Sequence, residues 1–205
     1  MAGTVFVVDD DASVRKSLTR LISEAGYTVL AFPSAQEFLA REPSAGPSCV
    51  VLDVRMPGGS GLDLQRTLAG AAHQIPIIFM TGHGDIHMSV KAMKAGAVDF
   101  LTKPFVGKDL LEAIQRALAR DTRDLGVKAR TGEIRSRIAL LTPRESQVLA
   151  LVVTGMLNKQ MAAALGVVEQ TIKVHRARVM EKMQAGSLAE LVRLADAAGI
   201  IVTEE

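Results

Sequence analysis

Five short apolar runs, separated by segments of helical period, constrain the fold of this 205-residue chain more than any other feature. The runs are residues 4–8, 28–32, 49–52, 75–80 and 98–101. Between the first two, Val14, Leu18 and Ile22 recur at the spacing of an amphipathic helix. Strands that alternate with helices in this way favour βαβ units. We therefore predict a doubly wound α/β domain, with a five-stranded parallel sheet and helices on both faces.

The chain after Leu140 carries only helical signals. Thr142, Pro143 and Glu145 form a helix start, with a side-chain cap, a proline at the first helical position and a capping-box carboxylate. Further starts and stops predict four short helices in all, and hence a small all-α domain. The segment 121–137 is highly charged and contains two glycines, so it is either a helix that fades into a linker or a rigid helical linker. The predicted domains are 1–120 and 138–205.

Several classes of protein are disfavoured by the composition. We find no run of about 18 apolar residues, so no transmembrane helix and no membrane partner are expected. The acidic cluster that begins at Asp9 argues against a secretory signal peptide, and Cys49 is the only cysteine, so no internal disulfide is possible. We therefore expect a cytoplasmic protein. The net charge of +2 excludes neither nucleic acid nor an acidic partner.

Polar residues follow four of the five predicted strands. In strand order they are Asp9, Asp10 and Asp11; Asp53; Thr81; and Lys103. Because the carboxyl ends of parallel strands meet at one edge of the sheet, these side chains are expected to converge there. Converging carboxylates suit Mg²⁺, for which Mn²⁺ can substitute. One carboxylate can then attack a phosphoryl donor, while the metal and Lys103 neutralise the transferred group and Thr81 hydrogen-bonds to it.

Each of these residues taken alone would be a cap, a turn former or a solvated side chain, but together they resemble a known signature. The residues that carry it are 8–11, 52–58, 81–85 and 103–105. They resemble the receiver domain, and the surrounding sequence resembles the FixJ subfamily of response regulators over residues 1 to about 120. The resemblance implies a flavodoxin-like fold.

The resemblance also assigns roles to the residues of the pocket. It implies that Asp53 accepts the phosphoryl group, and that Asp10, Asp53 and the backbone carbonyl of Arg55 bind Mg²⁺. Asp9 would contact the metal directly or through water. Thr81 and Phe100 would be paired switch residues, and Lys103 the partner of the phosphate.

Receivers of this kind commonly dimerise, when phosphorylated, through the fourth helix, the fifth strand and the fifth helix. Val90 and Lys94, in the fourth helix, are our candidates for that surface. The alternative is that both are ordinary residues of a helix face.

The helical domain contains a predicted helix-turn-helix. Residues 159–165 are the scaffold helix, Gly166 is the turn and residues 169–184 are the recognition helix. At helical spacing Ile172, Val179 and Met183 form an apolar stripe. The opposite face carries Lys173, Val174, Ala177, Arg178 and Glu181.

Arg176 falls beside the apolar stripe. It is therefore better placed for a DNA phosphate or an internal ion pair, with Glu145, than for a base edge. Residues 138–200 resemble the LuxR/NarL-type output domain, which implies that Lys173, Val174 and Ala177 face the groove. Candidate DNA contacts also include Lys159, Arg176 and Arg178. Val168 departs from the family, which often has a hydroxyl cap there.

These features together predict a transcription factor gated by phosphorylation. Its partners would be a sensor histidine kinase, double-stranded DNA, RNA polymerase and, when phosphorylated, a second copy of itself. We do not expect an enzyme, beyond catalysis of its own phosphorylation and dephosphorylation.

Two other classes of protein remain open. One is a phosphatase of the haloacid dehalogenase type, which would need a second aspartate two residues after Asp53, where Arg55 stands. The other is a regulator whose helical domain binds protein. The Gly-Gly-Ser-Gly run at 58–61 is interpreted as a flexible turn, because it lacks the ending of a phosphate-binding loop.

Overall fold

The computed structural model describes residues 3–57, 59–70, 74–82 and 86–200, with only the backbone of Ile86. Gly58 of the predicted turn and residues 83–85 of the receiver-like motif lie outside this description. The chain divides into two units, Met1–Leu125 and Gly126–Glu205.

The first unit contains a five-stranded sheet in which all neighbouring strands are parallel. Its strands are β1 (Thr4–Val8), β2 (Thr28–Phe32), β3 (Ser48–Asp53), β6 (Ile77–Thr81) and β7 (Asp99–Thr102), in the order β2-β1-β3-β6-β7. The predicted doubly wound α/β fold is confirmed. Strands β4 (Arg55–Met56) and β5 (Gly59–Ser60) pair separately as an antiparallel hairpin, which was not predicted because two residues are too few to show a periodic pattern.

Helices cover both faces of this sheet. They are α1 (Ala12–Glu24), α2 (Ala35–Leu39), α3 (Gly61–Ala69), α4 (Ile86–Lys94) and α5 (Gly107–Ala139). One face packs Ile22 of α1 and Ile114 of α5 against β1, β3 and β6. The other packs Phe38 of α2 and Leu64 of α3. In the central strands β1, β3 and β6 both faces are buried, which explains their uninterrupted apolar runs in the sequence.

Helix α5 continues through residues 121–137, the segment that the sequence predicted to be either a fading helix or a rigid helical linker. It includes Gly126 and Gly132, although a glycine inside a helix costs about 1 kcal/mol relative to alanine. Before these glycines, the fully buried Asp121 accepts a 2.8 Å hydrogen bond from the backbone amide of Ser48, the first residue of β3. After them, Ile134 belongs to the core of the second unit.

The second unit completes its core with four short helices, as predicted. They are α6 (Pro143–Val153), α7 (Asn158–Leu165), α8 (Glu169–Met183) and α9 (Leu188–Ala197). Thr142 and Glu145 form the predicted capping box, and Gly166 ends α7 in the left-handed conformation, with φ of 65°. Among the described residues, no helix is both long and apolar enough to cross a membrane.

Candidate functional site

Three carboxylates meet at the carboxyl edge of the sheet. Asp9 and Asp10 follow β1, and Asp53 is the last residue of β3. The two strands are neighbours in the sheet, with Val8 paired to Leu52, so their ends lie side by side. Ligand oxygens of the three carboxylates all lie within 4.8 Å of one another. Asp9 is buried and Asp10 is exposed.

Lys103 bridges this cluster from the loop after β7. Its Nζ lies 2.7 Å from Oδ2 of Asp9 and 3.7 Å from Oδ2 of Asp53. The backbone amide of Lys103 donates a 2.7 Å hydrogen bond to the carbonyl of Thr81, which ties this loop to the end of β6, and the Lys103–Pro104 peptide bond is cis. Thr81 is buried. The structure thus brings Asp9, Asp10, Asp53 and Lys103 together, and links Thr81 to them through the backbone.

The electrostatics of the cluster bear on the Asp53 carboxylate. Burial raises the pKa of the Asp53 carboxyl; the Lys103 ammonium opposes this rise, and the Asp9 carboxylate adds to it. Hydrogen bonds from the backbone amides of Arg55 and Val54 favour the ionised form. Oxygen ligands with this concentration of negative charge fit Mg²⁺. The arrangement can hold a divalent cation beside a partly desolvated carboxylate, that of Asp53.

Asp11, the third residue of the acidic run, serves the fold. Its Oδ1 accepts hydrogen bonds from the backbone amides of Ser13 and Val14, and so caps α1. These bonds lower the pKa of the Asp11 carboxyl. Arg15, which sequence reasoning missed, donates a 2.7 Å hydrogen bond from Nη1 to the carbonyl of Asp9. A cation one turn into a helix carries no sequence signal for such a role.

Gly61 is the second residue that sequence reasoning missed. The interpretation of residues 58–61 as a flexible turn is wrong over its described part, because Gly59 and Ser60 form β5 and Gly61 begins α3. A Cβ atom at Gly61 would lie 2.5 Å from the carbonyl oxygen of Asp53. Gly61 therefore allows the helix to start directly against the backbone of the candidate phosphoacceptor.

Replacing Gly61 with alanine should displace the Asp53 backbone. We expect Gly61→Ala to lower the free energy of unfolding by about 1–3 kcal/mol, since backbone must move to admit the methyl group. Phosphorylation by acetyl phosphate should slow at least tenfold, because roughly 1 Å of misplacement can cost about a hundredfold in rate. Thermal unfolding and phosphate-affinity electrophoresis measure the two effects.

The matched control is Gly59→Ala, where the added Cβ meets no atom within 4 Å. Equal rates in the two variants would contradict the role of Gly61.

The candidate dimer surface lies on α4 and its neighbours. Val90 is 46% exposed, Met93 is 44% exposed, and Lys94 is also exposed. On β7, Asp99 pairs with Arg116 of α5. Phe100, the predicted switch residue, is half-buried with its ring 6.2 Å from that of Phe79. Apolar and charged side chains are thus both available on this surface.

Helices α7 and α8 form the predicted helix-turn-helix. Ile172, Val179 and Met183 are fully buried in the core of the unit, which accounts for the apolar stripe. The side chains on the other face of α8 are exposed: Lys173, Val174, Ala177 and Arg178. Lys159 of α7 is exposed as well. Val168 precedes α8 without a side-chain cap, as its departure from the family pattern predicted.

Arg176 does not pair with Glu145, so that expectation is wrong. Its Nη1 donates a 3.1 Å hydrogen bond to Oδ1 of Asn158, the first residue of α7. Glu145 is instead held by Lys182, with 2.6 Å between Nζ and Oε2, and by the backbone amide of Thr142 at 2.8 Å. Glu145 and Lys182 lie on different helices, so no periodic spacing links them in the sequence. Only the packing of α6 against α8 brings the ammonium to the carboxylate.

The Glu145–Lys182 pair should make the second unit sensitive to acid. The hydrogen bond from Lys182, followed by that from Thr142, lowers the pKa of the Glu145 carboxyl from 4.5 to about 2. A lowered folded-state pKa contributes stability that is complete above the unfolded value and is lost as the pH falls toward the folded value. The second unit of the wild-type protein should be more stable than that of Glu145→Gln above this range. The difference in stability should shrink as the pH falls from 4.5 toward about 2.

Hydrogen exchange of the α6 amides measures this difference, because it reports opening of the second unit alone. Protection factors of both proteins are compared between about pH 6 and about pH 3. The control is Glu133→Gln, which removes a more exposed carboxylate that pairs with Arg137. The prediction would be contradicted if the difference in protection factor between wild-type protein and Glu145→Gln stayed constant across this pH range.

Comparison with known proteins matches a different family model to each of the two units. Residues 5–115 match the family model described as "Response regulator receiver domain". Residues 139–195 match the model described as "Bacterial regulatory proteins, luxR family". The two models together cover most of the chain.

Relatives align with this chain across both units. Nodulation protein W of Bradyrhizobium diazoefficiens is 51% identical over 196 residues, which cover 96% of this chain and 86% of that protein. Transcriptional regulatory protein FixJ of the same organism is 45% identical, with 97% of each chain covered. The solved structure of the response regulator StyR aligns with a TM-score of 0.83 at 45% identity, covering 96% of this chain and 99% of that one.

Proposed function

Because this chain belongs to the response regulators, with a receiver domain followed by a luxR-family regulatory domain, we propose that phosphorylation of Asp53 by a sensor histidine kinase controls its dimerisation and its binding to DNA. The observation that carries the proposal is the convergence of Asp9, Asp10 and Asp53 with the ammonium of Lys103. A carboxylate nucleophile and a cation for the transferred group are thereby within reach of one phosphoryl donor.

In the proposed reaction an Oδ atom of Asp53 attacks the phosphorus of a phosphohistidine. The new O–P bond forms as the bond between phosphorus and the imidazole nitrogen breaks, and the imidazole leaves with the electron pair. Asp10, Asp53, the backbone carbonyl of Arg55 and, directly or through water, Asp9 would hold Mg²⁺. When bound, the ion supplies positive charge that stabilises the transferring group.

After transfer, Lys103 and Thr81 hold the phosphoryl group. Lys103 already lies 3.7 Å from Oδ2 of Asp53, so a small movement of its Nζ is enough to pair with phosphoryl oxygens. A hydrogen bond from Thr81 would draw the end of β6 toward the phosphate. The half-buried ring of Phe100 can follow, because it stands on the neighbouring strand β7. This rearrangement would alter the α4 surface that carries Val90 and Lys94.

The second unit is proposed to read DNA with α8. Lys173 and Arg178 supply positive charge for phosphates or acceptors on bases, and the exposed Val174 suits the methyl group of thymine. The side chain of Ala177, in the middle of this face, is small, so that the helix can approach the base edges closely. Lys159 of α7 is a proposed phosphate contact, and so is Arg176 of α8, whose guanidinium lies against Asn158 at the start of α7.

The remaining partners follow from this function. A dimer presents two α8 helices and so gains affinity for paired half-sites through effective concentration. RNA polymerase is the proposed downstream partner, and the DNA target assigns the protein to the cytoplasm. We propose no chemistry on separate substrates, only the formation and hydrolysis of the phosphoryl group on Asp53. A dehalogenase-type phosphatase would need a general acid where Arg55 stands.

The proposal is tested on the full-length protein with acetyl phosphate and Mg²⁺. We expect one phosphoryl group per chain by mass spectrometry, a shift from monomer to dimer by sedimentation, and tighter binding to a selected DNA duplex. DNA affinity should fall steeply with salt, since phosphate contacts release counterions. Phosphorylation without dimerisation would contradict the switch. Binding that is insensitive to salt would favour the alternative in which the helical domain binds protein.

A further inference from the structure

The C-terminal end of α4 is held by hydrogen bonds from its own backbone and from side chains of two other helices. The backbone amide of Ala97 donates to the carbonyl of Ala92 at 3.1 Å, and that of Gly96 donates to Met93 at 3.0 Å. With Gly96 at φ of 91°, these bonds form a Schellman motif. The motif satisfies the carbonyls of Ala92 and Met93, whereas those of Ala95 and Gly96 need donors from outside the helix. These donors come from α3 and α5.

Gln65, on α3, supplies two of these further hydrogen bonds. Its Nε2 donates to the carbonyl of Ala92 at 3.1 Å and to that of Ala95 at 3.2 Å. The residue is only 5% exposed and stands among the apolar residues of its face of the sheet. Burial of an amide is costly unless it is hydrogen-bonded, so this geometry is strongly specified. Arg120 of α5 adds a 3.2 Å bond to the carbonyl of Gly96.

The same face of α3 leads back to the candidate phosphoacceptor. Gly61 lies four residues before Gln65, so both occupy one side of the helix, and both are buried. The backbone amide of Gly61 donates a 2.9 Å hydrogen bond to the carbonyl of Val54, and Gly61 packs against the carbonyl of Asp53. One turn of α3 thus separates the backbone at Asp53 from the end of α4.

We propose that Gln65 is a positioning residue that couples Asp53 to α4. Its hydrogen bonds hold the C-terminal end of α4 in place. When phosphorylation moves the rest of α4, the helix therefore rotates about this fixed end, and its exposed surface is reoriented. The inference rests on the proposed function, because it concerns the same phosphorylation and the same α4 surface. It adds a connection through α3, separate from the one through Thr81 and Phe100.

The experiment compares Gln65→Leu with wild-type protein, both full-length and treated with acetyl phosphate and Mg²⁺. The measured quantity is the dissociation constant of the dimer for unphosphorylated protein divided by that for phosphorylated protein. The phosphorylated fraction is measured separately. We expect this ratio to fall about tenfold in Gln65→Leu, within the usual range of coupling between sites, while the phosphorylated fraction stays the same. The matched control is Gln74→Leu, which removes an amide donor to the carbonyl of Ala69 at an exposed site.

An unchanged ratio in Gln65→Leu, or an equal loss in Gln74→Leu, would overturn the inference. The wild-type ratio tests the proposed function by itself, so the two failures are distinguishable. Should Gln65→Leu not fold, hydrogen exchange of wild-type protein with beryllofluoride and Mg²⁺ decides the matter. We expect the amides of Gly96 and Ala97 to keep their protection while the amides of 88–91 change. If the amides of Gly96 and Ala97 lost their protection, the C-terminal end of α4 would not be fixed and the inference would be overturned.

Discussion

Asp53→Asn should abolish phosphorylation by acetyl phosphate and, with it, the shift to dimer. Asparagine keeps the shape of the side chain but offers no carboxylate nucleophile, so incorporation should fall at least about a hundredfold. The fold should tolerate the change, because burial disfavours a charged carboxylate at this position. Mass spectrometry measures phosphate per chain, and sedimentation measures the dimer fraction in the same samples.

The matched control for this variant is Asp63→Asn. Asp63 is an exposed carboxylate in the same domain, where it pairs with Arg66 and lies outside the acidic cluster. We expect it to accept phosphate and dimerise as the wild type does. If Asp53→Asn still acquired one phosphoryl group, another side chain would be the acceptor. If it dimerised without phosphate, the dimer would not depend on the switch.

The second large effect should come from removing two cations of α8. Lys173→Ala combined with Arg178→Ala should weaken binding to a selected DNA duplex by about a hundredfold, since a single base contact is worth about 1–3 kcal/mol. Each phosphate contact that is lost should also lower the slope of log affinity against log salt by about 0.9. Fluorescence anisotropy at several salt concentrations, with phosphorylated full-length protein, gives both quantities.

The matched control for the α8 variant is Arg193→Ala, which removes an exposed cation from α9 of the same unit. We expect little change in affinity and no change in slope beyond general electrostatics. If the α9 variant lost as much affinity as the double variant, binding would follow net charge and not the face of α8. Phosphorylation and dimerisation should be unaffected in both proteins.

The fold was largely predictable because its periodic signals are strong. The uninterrupted apolar runs indicate the parallel sheet, and Thr142 with Glu145 marks the start of α6. Two features lacked such a signal. The β4–β5 hairpin is too short for periodicity, and the continuation of α5 through Gly126 and Gly132 runs against helix propensity.

The candidate site was predictable where residues stand at strand ends, since topology alone brings Asp9, Asp53 and Lys103 to one edge. Residues that act through packing were missed. Gly61 matters through a close approach to the backbone, and Gln65 through two carbonyls at the end of a helix 27 or more residues away in sequence. Neither spacing follows a local rule, so each emerges only in three dimensions.

The hydrogen bond between Ser48 and Asp121 determines where the receiver can be cut as a separate fragment. A fragment that stopped with the receiver match at residue 115 would remove the carboxylate acceptor of a buried amide at the start of β3. It would also strip Ala117 and Leu118 from the face that they cover. A fragment extended to Leu125 keeps Asp121, Ala117 and Leu118. We therefore expect a receiver that ends at Leu125 to fold on its own.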